Sequence, residues 1–444
     1  MAVRFSRQVR AGARPLAGAD GRGGGVAKVV LSQDVVQRVV SGHLARARDF
    51  LCELIRFPST HGEEGAVQEF ARGGFADLGW EPEAIPFPEG LASDPEYTNT
   101  DEPKPYVGRP NLIVRIPGEG RGRSLILNSH TDVVPAKDWP EAFAPRVEGD
   151  LVVGRGASDD KGNVAVLYLV AAALKELGVR LAGDLELQVV VEEEVGGNGS
   201  LALIRSGHRA DGVVVLECSD LKLHPANRGV IWFRATVEGK PVHMGKIREG
   251  VSAIDKTYEL IEIWRRLEAR IIAESADQSL FAMYEQPVQM NVGVMQAGEW
   301  PALVPARSVI EGGFGFLPNR SLADIKRDLR AAVEREGSDW LRGHCRLEFP
   351  KLHNDAFATP VDHPLVTGMS AVLREAGLDG TPTGWIVSCD ARLFAKVGGM
   401  PTVVFGAGTL TDAHSNRESV RLTDIARAAE VLVEFSARWC GTVG

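Results

Sequence analysis

Apolar residues recur at helical spacing over residues 36–56 and 163–177, while short apolar runs at 124–127, 185–191 and 213–217 stop abruptly at polar or turn residues. The first pattern, with a period near 3.6, predicts amphipathic or buried helices; the second predicts buried strands. A further strand is expected from near Asn111. Strand and helix patterns alternate through about residue 224, as an α/β fold requires: a mixed, mostly parallel sheet with helices on both faces. The texture then changes. Residues 230–238, 290–295 and 308–316 read as strands around helices at 251–273 and 322–336, a compact α+β insertion. After about residue 345 the first texture resumes, with a strand at 402–405 and a last helix at 423–438. The chain thus divides into a discontinuous main domain, 29–225 and 346–444, and a smaller inserted domain, 226–345. Two cores are also what 444 residues call for, since single hydrophobic cores stop growing well below that length.

Two connecting segments carry their own expectations. In FPSTHGEE, Thr60 and Glu63 have capping-box spacing ahead of the next helix, which makes His61 a turn residue. Residues 86–110 are rich in Pro, Asp and Glu and lack periodicity, so they read as a long surface loop, with cover for a site as the functional alternative.

The first 28 residues hold Arg and Gly without the apolar stretch of a secretory signal, and read as a disordered tail. No apolar run approaches the roughly 20 residues of a membrane helix. A formal charge of −9 removes any general reason to approach nucleic acid or an anionic membrane, which leaves small molecules as ligands. Five widely spaced cysteines (Cys52, Cys218, Cys345, Cys389 and Cys440) form no CxxC pair and suggest reduced thiols, hence a cytoplasmic protein.

Chemistry concentrates in five stretches: SHTDVVP at 129–135, GRGASDDKG at 154–162, VEEEVGG at 191–197, LECSD at 216–220 and TDAHSNRES at 411–419. Each has a bland reading. Ser158, Asp159 or Asp160 suits a helix N-cap, the acidic run suits a solvated turn, and Glu217 suits an exposed strand end. The bland readings weaken together, because four of the five stretches follow or interrupt strand-like runs, and ligands of open α/β sheets gather at strand carboxyl ends. Two hydrolytic divalent ions about 3.5–4 Å apart need imidazoles, a shared carboxylate and further carboxylates. His130, His414, Asp159, Glu194 and Glu217 make up such a set. Asp132 and Glu193 remain over, one placed to back a histidine and the other to move protons.

Taken in order, the five motifs resemble the M20 family of metallopeptidases and deacylases, over about residues 51–435. That family includes acetylornithine deacetylase, succinyl-diaminopimelate desuccinylase, carboxypeptidase G and aminoacylase. The resemblance implies that His130, Asp159 and Glu217 hold one metal and that Asp159, Glu194 and His414 hold the other. The two ions would be zinc, with cobalt or manganese as alternatives. Glu193 matches the general base, which takes a proton from the attacking water and delivers it to the leaving nitrogen. Asp132 matches the carboxylate behind the histidine, and the Asp159–Asp160 peptide bond is expected to be cis. His243, in GKPVHMGKIREGVSAI, matches a histidine of the inserted domain that reaches the partner's site in dimeric relatives and stabilises the oxyanion. The inserted domain then becomes a lid or dimerisation domain, and the protein a homodimer.

Substrate contacts depart from the family pattern. Relatives often carry Asn three residues before a Val-Pro proline, where Ala302 stands here. They also show Asp-x-Arg-x-x-Pro where EGGFGFLP places Gly313 and Gly315. Arg228 in NRG matches a substrate contact, and Arg392 in SCDAR lies on the approach to His414; both are candidate anion anchors, with structural ion pairs as the alternative. The reading is a dinuclear metal-dependent hydrolase of an N-acyl amino acid or related small amide. The alternatives are a di- or tripeptidase or carboxypeptidase, an N-carbamoyl amidohydrolase, and an inactive binding protein; the last is disfavoured because no ligand is missing.

Overall fold

The computed structural model describes residues 31–100, 102–136 and 138–443. The expected tail, residues 1–28, lies outside them. The main domain is built on a six-stranded sheet in the order Glu83–Ile85, Asn111–Ile116, Leu185–Val190, Leu125–His130, Gly212–Val215, Thr402–Val404. The last four strands run parallel to one another, and the first two are antiparallel additions at one edge. The sheet is therefore mixed, as the alternating texture requires.

Period-two alternation decides which side chains face which layer. Leu125 and Leu127 join the core with helices Gln33–Arg56, Lys161–Glu176 and Leu422–Cys440, whereas Ile126 joins the opposite core with helix Asn198–Arg205. Val214 divides from Val213 and Val215 in the same way. Helix Lys161–Glu176 is buried on every side from Lys161 to Leu174, because two other helices flank it against the sheet. Helix Gln33–Arg56 buries Val36, Val40, Ala47, Phe50, Leu51, Leu54 and Ile55 on one stripe and stops before Phe57-Pro58, where the residue preceding proline is driven to extended backbone.

The inserted domain carries a second sheet in the order Gln289–Ala297, Arg307–Phe316, Gly229–Glu238, Cys345–Glu348, with His353–Asn354 also paired to Gly229–Glu238. Ile231, Phe233, Ala235 and Val237 turn into a core with helices Ala253–Glu274 and Leu322–Glu336. Trp232 lies on the other, open face. The second sheet runs past residue 345, because Cys345–Glu348 completes the pairing of Gly229–Glu238 before the chain returns.

The capping box expected at Thr60 and Glu63 does not form. Glu63 N–H donates to the Thr60 carbonyl, and helix Gly65–Ala76 begins after Glu64 without a side-chain cap. Among the described residues, no helix is long and apolar enough to cross a membrane. All five cysteines are free thiols.

Candidate active site

Four site segments leave the same end of the main sheet, because the four central strands are parallel. His130 is the last residue of its strand, Glu193 and Glu194 follow Leu185–Val190, Glu217 follows Gly212–Val215, and His414 lies in the loop after Thr402–Val404. Asp159 arrives from the turn before helix Lys161–Glu176, and its peptide bond to Asp160 is cis, as expected.

Asp159 stands between the two histidines. Its Oδ1 lies 3.2 Å from His130 Nε2 and its Oδ2 3.1 Å from His414 Nε2. His414 Nε2 is also 3.1 Å from Glu194 Oε1. Two groups of potential ligand atoms result, each within 4.8 Å: His130, Asp159, Asp160 and Glu217, and Asp159, Glu194 and His414. Asp159 belongs to both. Glu193 Oε2 lies 3.9 Å from His130 Nε2.

Asp132 lies behind His130, where the carboxylate was expected, and adds a second contact. Its backbone carbonyl meets His130 Nδ1 at 3.0 Å, while its carboxylate is 3.4 Å from that nitrogen. The two carboxylate oxygens also accept from the backbone N–H groups of Glu193 and Glu194, at 3.1 and 2.9 Å. One buried residue thus orients a histidine and fixes the acidic turn.

Asp160 was legible only as a possible helix cap, and it makes no cap hydrogen bond. Its carboxylate accepts from Ser129 Oγ at 2.5 Å and Asn163 Nδ2 at 2.6 Å, and is fully buried. Glu418, also unassigned by its motif, accepts with one oxygen from the N–H groups of Gly156, Ser158 and Asp159 at 3.0–3.1 Å; its other oxygen pairs with Arg155. Three backbone donors on one carboxylate fix the Asp159 loop to the His414 loop.

The acidic turn has further anchors. Glu192 and His414 both hold left-handed backbone, at φ 63° and 62°, a conformation non-glycine residues keep only when their surroundings impose it. Gly196 and Gly197 complete the turn, both at positive φ. Arg392 is almost fully buried and donates to the Gly196 carbonyl at 3.0 Å, with Glu96 3.5 Å away. Through this bond it braces the acidic turn. Arg228 lies instead on the inserted domain, where its guanidinium makes, among the described residues, one long approach to the Pro287 carbonyl. His243 is exposed on that domain, accepts from Gly245 N–H, and contacts none of the acidic cluster within one chain.

The donor set calls for cations. Burial, followed by neighbouring carboxylates, pushes Glu193 and Glu217 well above the usual carboxylate range, and raises Glu194 to about 7. Burial also takes Asp160 up to about 8. Asp159 alone is lowered, because its close contacts with the two histidines outweigh its burial. His414 is drawn up to about 10 by its bonds to Asp159 and Glu194, and His130 is raised by Asp132 and Asp159 against the effect of burial. His130 Nε2 is nevertheless a buried atom without a hydrogen-bond partner, facing acids. Uncompensated carboxylates around an orphaned imidazole nitrogen fit divalent metal well.

A parallel-sheet scaffold with two ligand clusters sharing one aspartate defines the class, a metal-dependent hydrolase of amide bonds. The chain belongs to Peptidase family M20/M25/M40, whose profile matches residues 126–438. It is 28% identical over 376 residues to the N-formyl-4-amino-5-aminomethyl-2-methylpyrimidine deformylase of Bacillus subtilis (strain 168), covering 76% of this chain and 84% of that protein. It is 26% identical over 352 residues to the acetylornithine deacetylase of Myxococcus xanthus, covering 76% and 85%. The fold matches the di-peptidase Dug1p of Saccharomyces cerevisiae with a TM-score of 0.69 at 14% identity, over 92% of this chain and 98% of that one.

Proposed function

We propose that this protein is a two-metal deacylase that removes a small acyl group from the nitrogen of an N-acyl amino acid or related small amide, with N-formyl amines foremost. The position of Asp159 carries this reading, one oxygen toward His130 and the other toward His414. His130, Asp159 and Glu217 would hold one ion, with Asp160 behind them, and Asp159, Glu194 and His414 the other. The metals, zinc or in its place cobalt or manganese, would polarise the substrate carbonyl and acidify water. Glu193 takes the proton of the attacking water at its carboxylate and returns it to the leaving nitrogen. Its burial and raised pKa favour holding a proton between those two steps.

Placing formyl amides first rests on the deformylase relatives, whose names specify an N-formyl aminopyrimidine. The absence of Asp and Arg side chains at Gly313 and Gly315 weighs against acetylornithine or succinyl-diaminopimelate themselves. A homodimer is supported by the free edge strand Gln289–Ala297, which exposes Val294 and Met295, and by exposed Met244, Ile247 and Trp300 in segments beside His243. In such a dimer His243 would act on the partner's substrate. The free thiols support a reducing, cytoplasmic setting.

The deciding experiment is release of amine from N-formyl, N-acetyl, N-succinyl and N-carbamoyl substrates and dipeptides by metal-loaded protein. Formyl or acetyl turnover that disappears in Glu193→Gln is expected. Dipeptide turnover alone would replace the deacylase by a peptidase.

A further inference from the structure

The open face of the second sheet contains a trough whose shape follows from its register. On that face Trp232 stands opposite Gly313, which stands opposite Asn291; one pleat along, Val230, Gly315 and Gln289 form the next row. The middle strand therefore contributes bare backbone at two successive outward positions. Its neighbours flank that floor one strand spacing away on each side, so the walls stand about 9–10 Å apart. The result is a cavity of about 360 Å³ lined by Trp232, Asn291, Gln289 and the glycines. This is the size of a small-ligand pocket.

The walls differ in chemistry. Trp232 presents an indole that is 46% exposed, unusual for so large an apolar group in a concave position. Asn291 and Gln289 place amides opposite. One end is closed by the Arg234–Glu311 ion pair at 2.7 Å, which satisfies both charges. At the other end lies Arg228, whose guanidinium would be 3.1 Å from a Cβ on Gly315. Glycine there gives the guanidinium room to lie over the strand. Among the described residues Arg228 has no carboxylate partner, although burial works against its charge. A mostly buried, unpaired guanidinium has its planar donor fork available to a ligand acceptor. The Arg228 end is also the end tied to the catalytic domain, through its backbone N–H to the Trp385 carbonyl at 3.0 Å. From Trp385 the chain runs on to Asp390, which accepts from Ser200 below the acidic turn.

Resting on the deacylase reading, we propose that this trough binds the amine half of the substrate as a planar aromatic or heteroaromatic ring, stacked on Trp232 over the Gly313–Gly315 floor, with an acceptor atom on Arg228. A flat ring gains from the indole face. A cationic aliphatic chain gains little from it and meets an unpaired positive charge, so the trough selects against amines of that kind.

The test compares N-formyl-5-aminomethylpyrimidine with N-formylputrescine on full-length, metal-loaded protein, and measures binding of 5-aminomethylpyrimidine by calorimetry. The ring amide is expected to exceed the aliphatic one at least tenfold in kcat/KM. Gly313→Leu, which fills the trough from its floor, should cut that preference at least tenfold and weaken amine binding to the same degree. Gly313→Ala adds one methyl at ordinary contact distance from Trp232, 3.6 Å, and Trp232→Leu removes the stacking wall; both should move the ratio in the same direction, so the outcome does not hang on one variant folding. Equal turnover of ring and aliphatic amides, or ring binding indifferent to all three substitutions, would overturn the trough. Ring binding that is lost in Gly313→Leu, in a protein that hydrolyses no amide, would keep the trough and remove the deacylase.

Discussion

Arg109 donates to Glu192 at 2.9 Å, and with its other terminal nitrogen to Glu64 at 2.6 Å, all three side chains being buried. Glu192 immediately precedes the proposed base, so the loop that carries Arg109 reaches under the acidic turn. Tyr106 and Asn198 donate to the other Glu192 oxygen at 2.9 and 3.1 Å, and His61 lies 3.2 Å from the first. Arg109→Met strips the guanidinium from two buried carboxylates, leaving Glu64 without its cation, and should cost about 3–5 kcal/mol of stability. It should also lower kcat more than it raises KM, with partial recovery in Arg109→Lys; thermal unfolding and steady-state kinetics check both. An unchanged kcat in a folded variant would separate this network from catalysis.

Glu193→Gln keeps the size of the side chain and removes its proton traffic. Turnover should fall by about 10²–10⁴-fold, while elemental analysis still finds two metals per chain. Residual activity near wild type would move the base elsewhere.

Divalent metal should stabilise the fold, since it neutralises buried acids that otherwise repel one another. At about a hundredfold excess over Kd, zinc is expected to add about 2.7 kcal/mol, read as a rise in Tm that a chelator reverses. Asp159→Asn should lose most of that rise, because the same residue serves both clusters.

His224 provides a pH signature away from the metals. It is buried, stacked on Trp385, and bonded to Thr383 Oγ1 at 3.0 Å; burial depresses its pKa to about 4. The unfolded chain therefore binds a proton at higher pH than the folded one. The stabilisation is complete above about pH 6.5 and is lost as pH falls toward 4, amounting to about 3 kcal/mol. His224→Gln should flatten that limb of the stability profile, as denaturant titration at several pH values would reveal.

Met295→Glu places a charge on the exposed edge strand. If two copies pair there, sedimentation should show a monomer, and activity should fall together with that of His243→Ala.

Much of this architecture was legible because it rests on periodicity and ligand type. Strands ending at His130, before Glu193 and before Glu217 emerge from apolar runs, and the inserted domain from a change in texture. Asp160, Glu192 and Glu418 were not legible: nothing in a run such as EEE or DD distinguishes an acid that binds backbone from one that faces a cavity. Arg109 was hidden for another reason. Its partners lie 45 and 83 residues away, and the aperiodic stretch around it looks like surface. Arg392 was legible as a guanidinium close in sequence to the site segments, but not its bond to the Gly196 carbonyl, a partner 196 residues away.

The Glu418 carboxylate joins residues more than 250 positions apart. During synthesis the loop of Asp159 therefore leaves the ribosome long before its clamp, which emerges between strand Thr402–Val404 and helix Leu422–Cys440. The inserted domain, contiguous in sequence, can close its own core in the interval. A chain stalled before residue 402 would thus carry a finished inserted domain and an acidic cluster lacking His414, and would have no way to gather both halves of the centre prematurely.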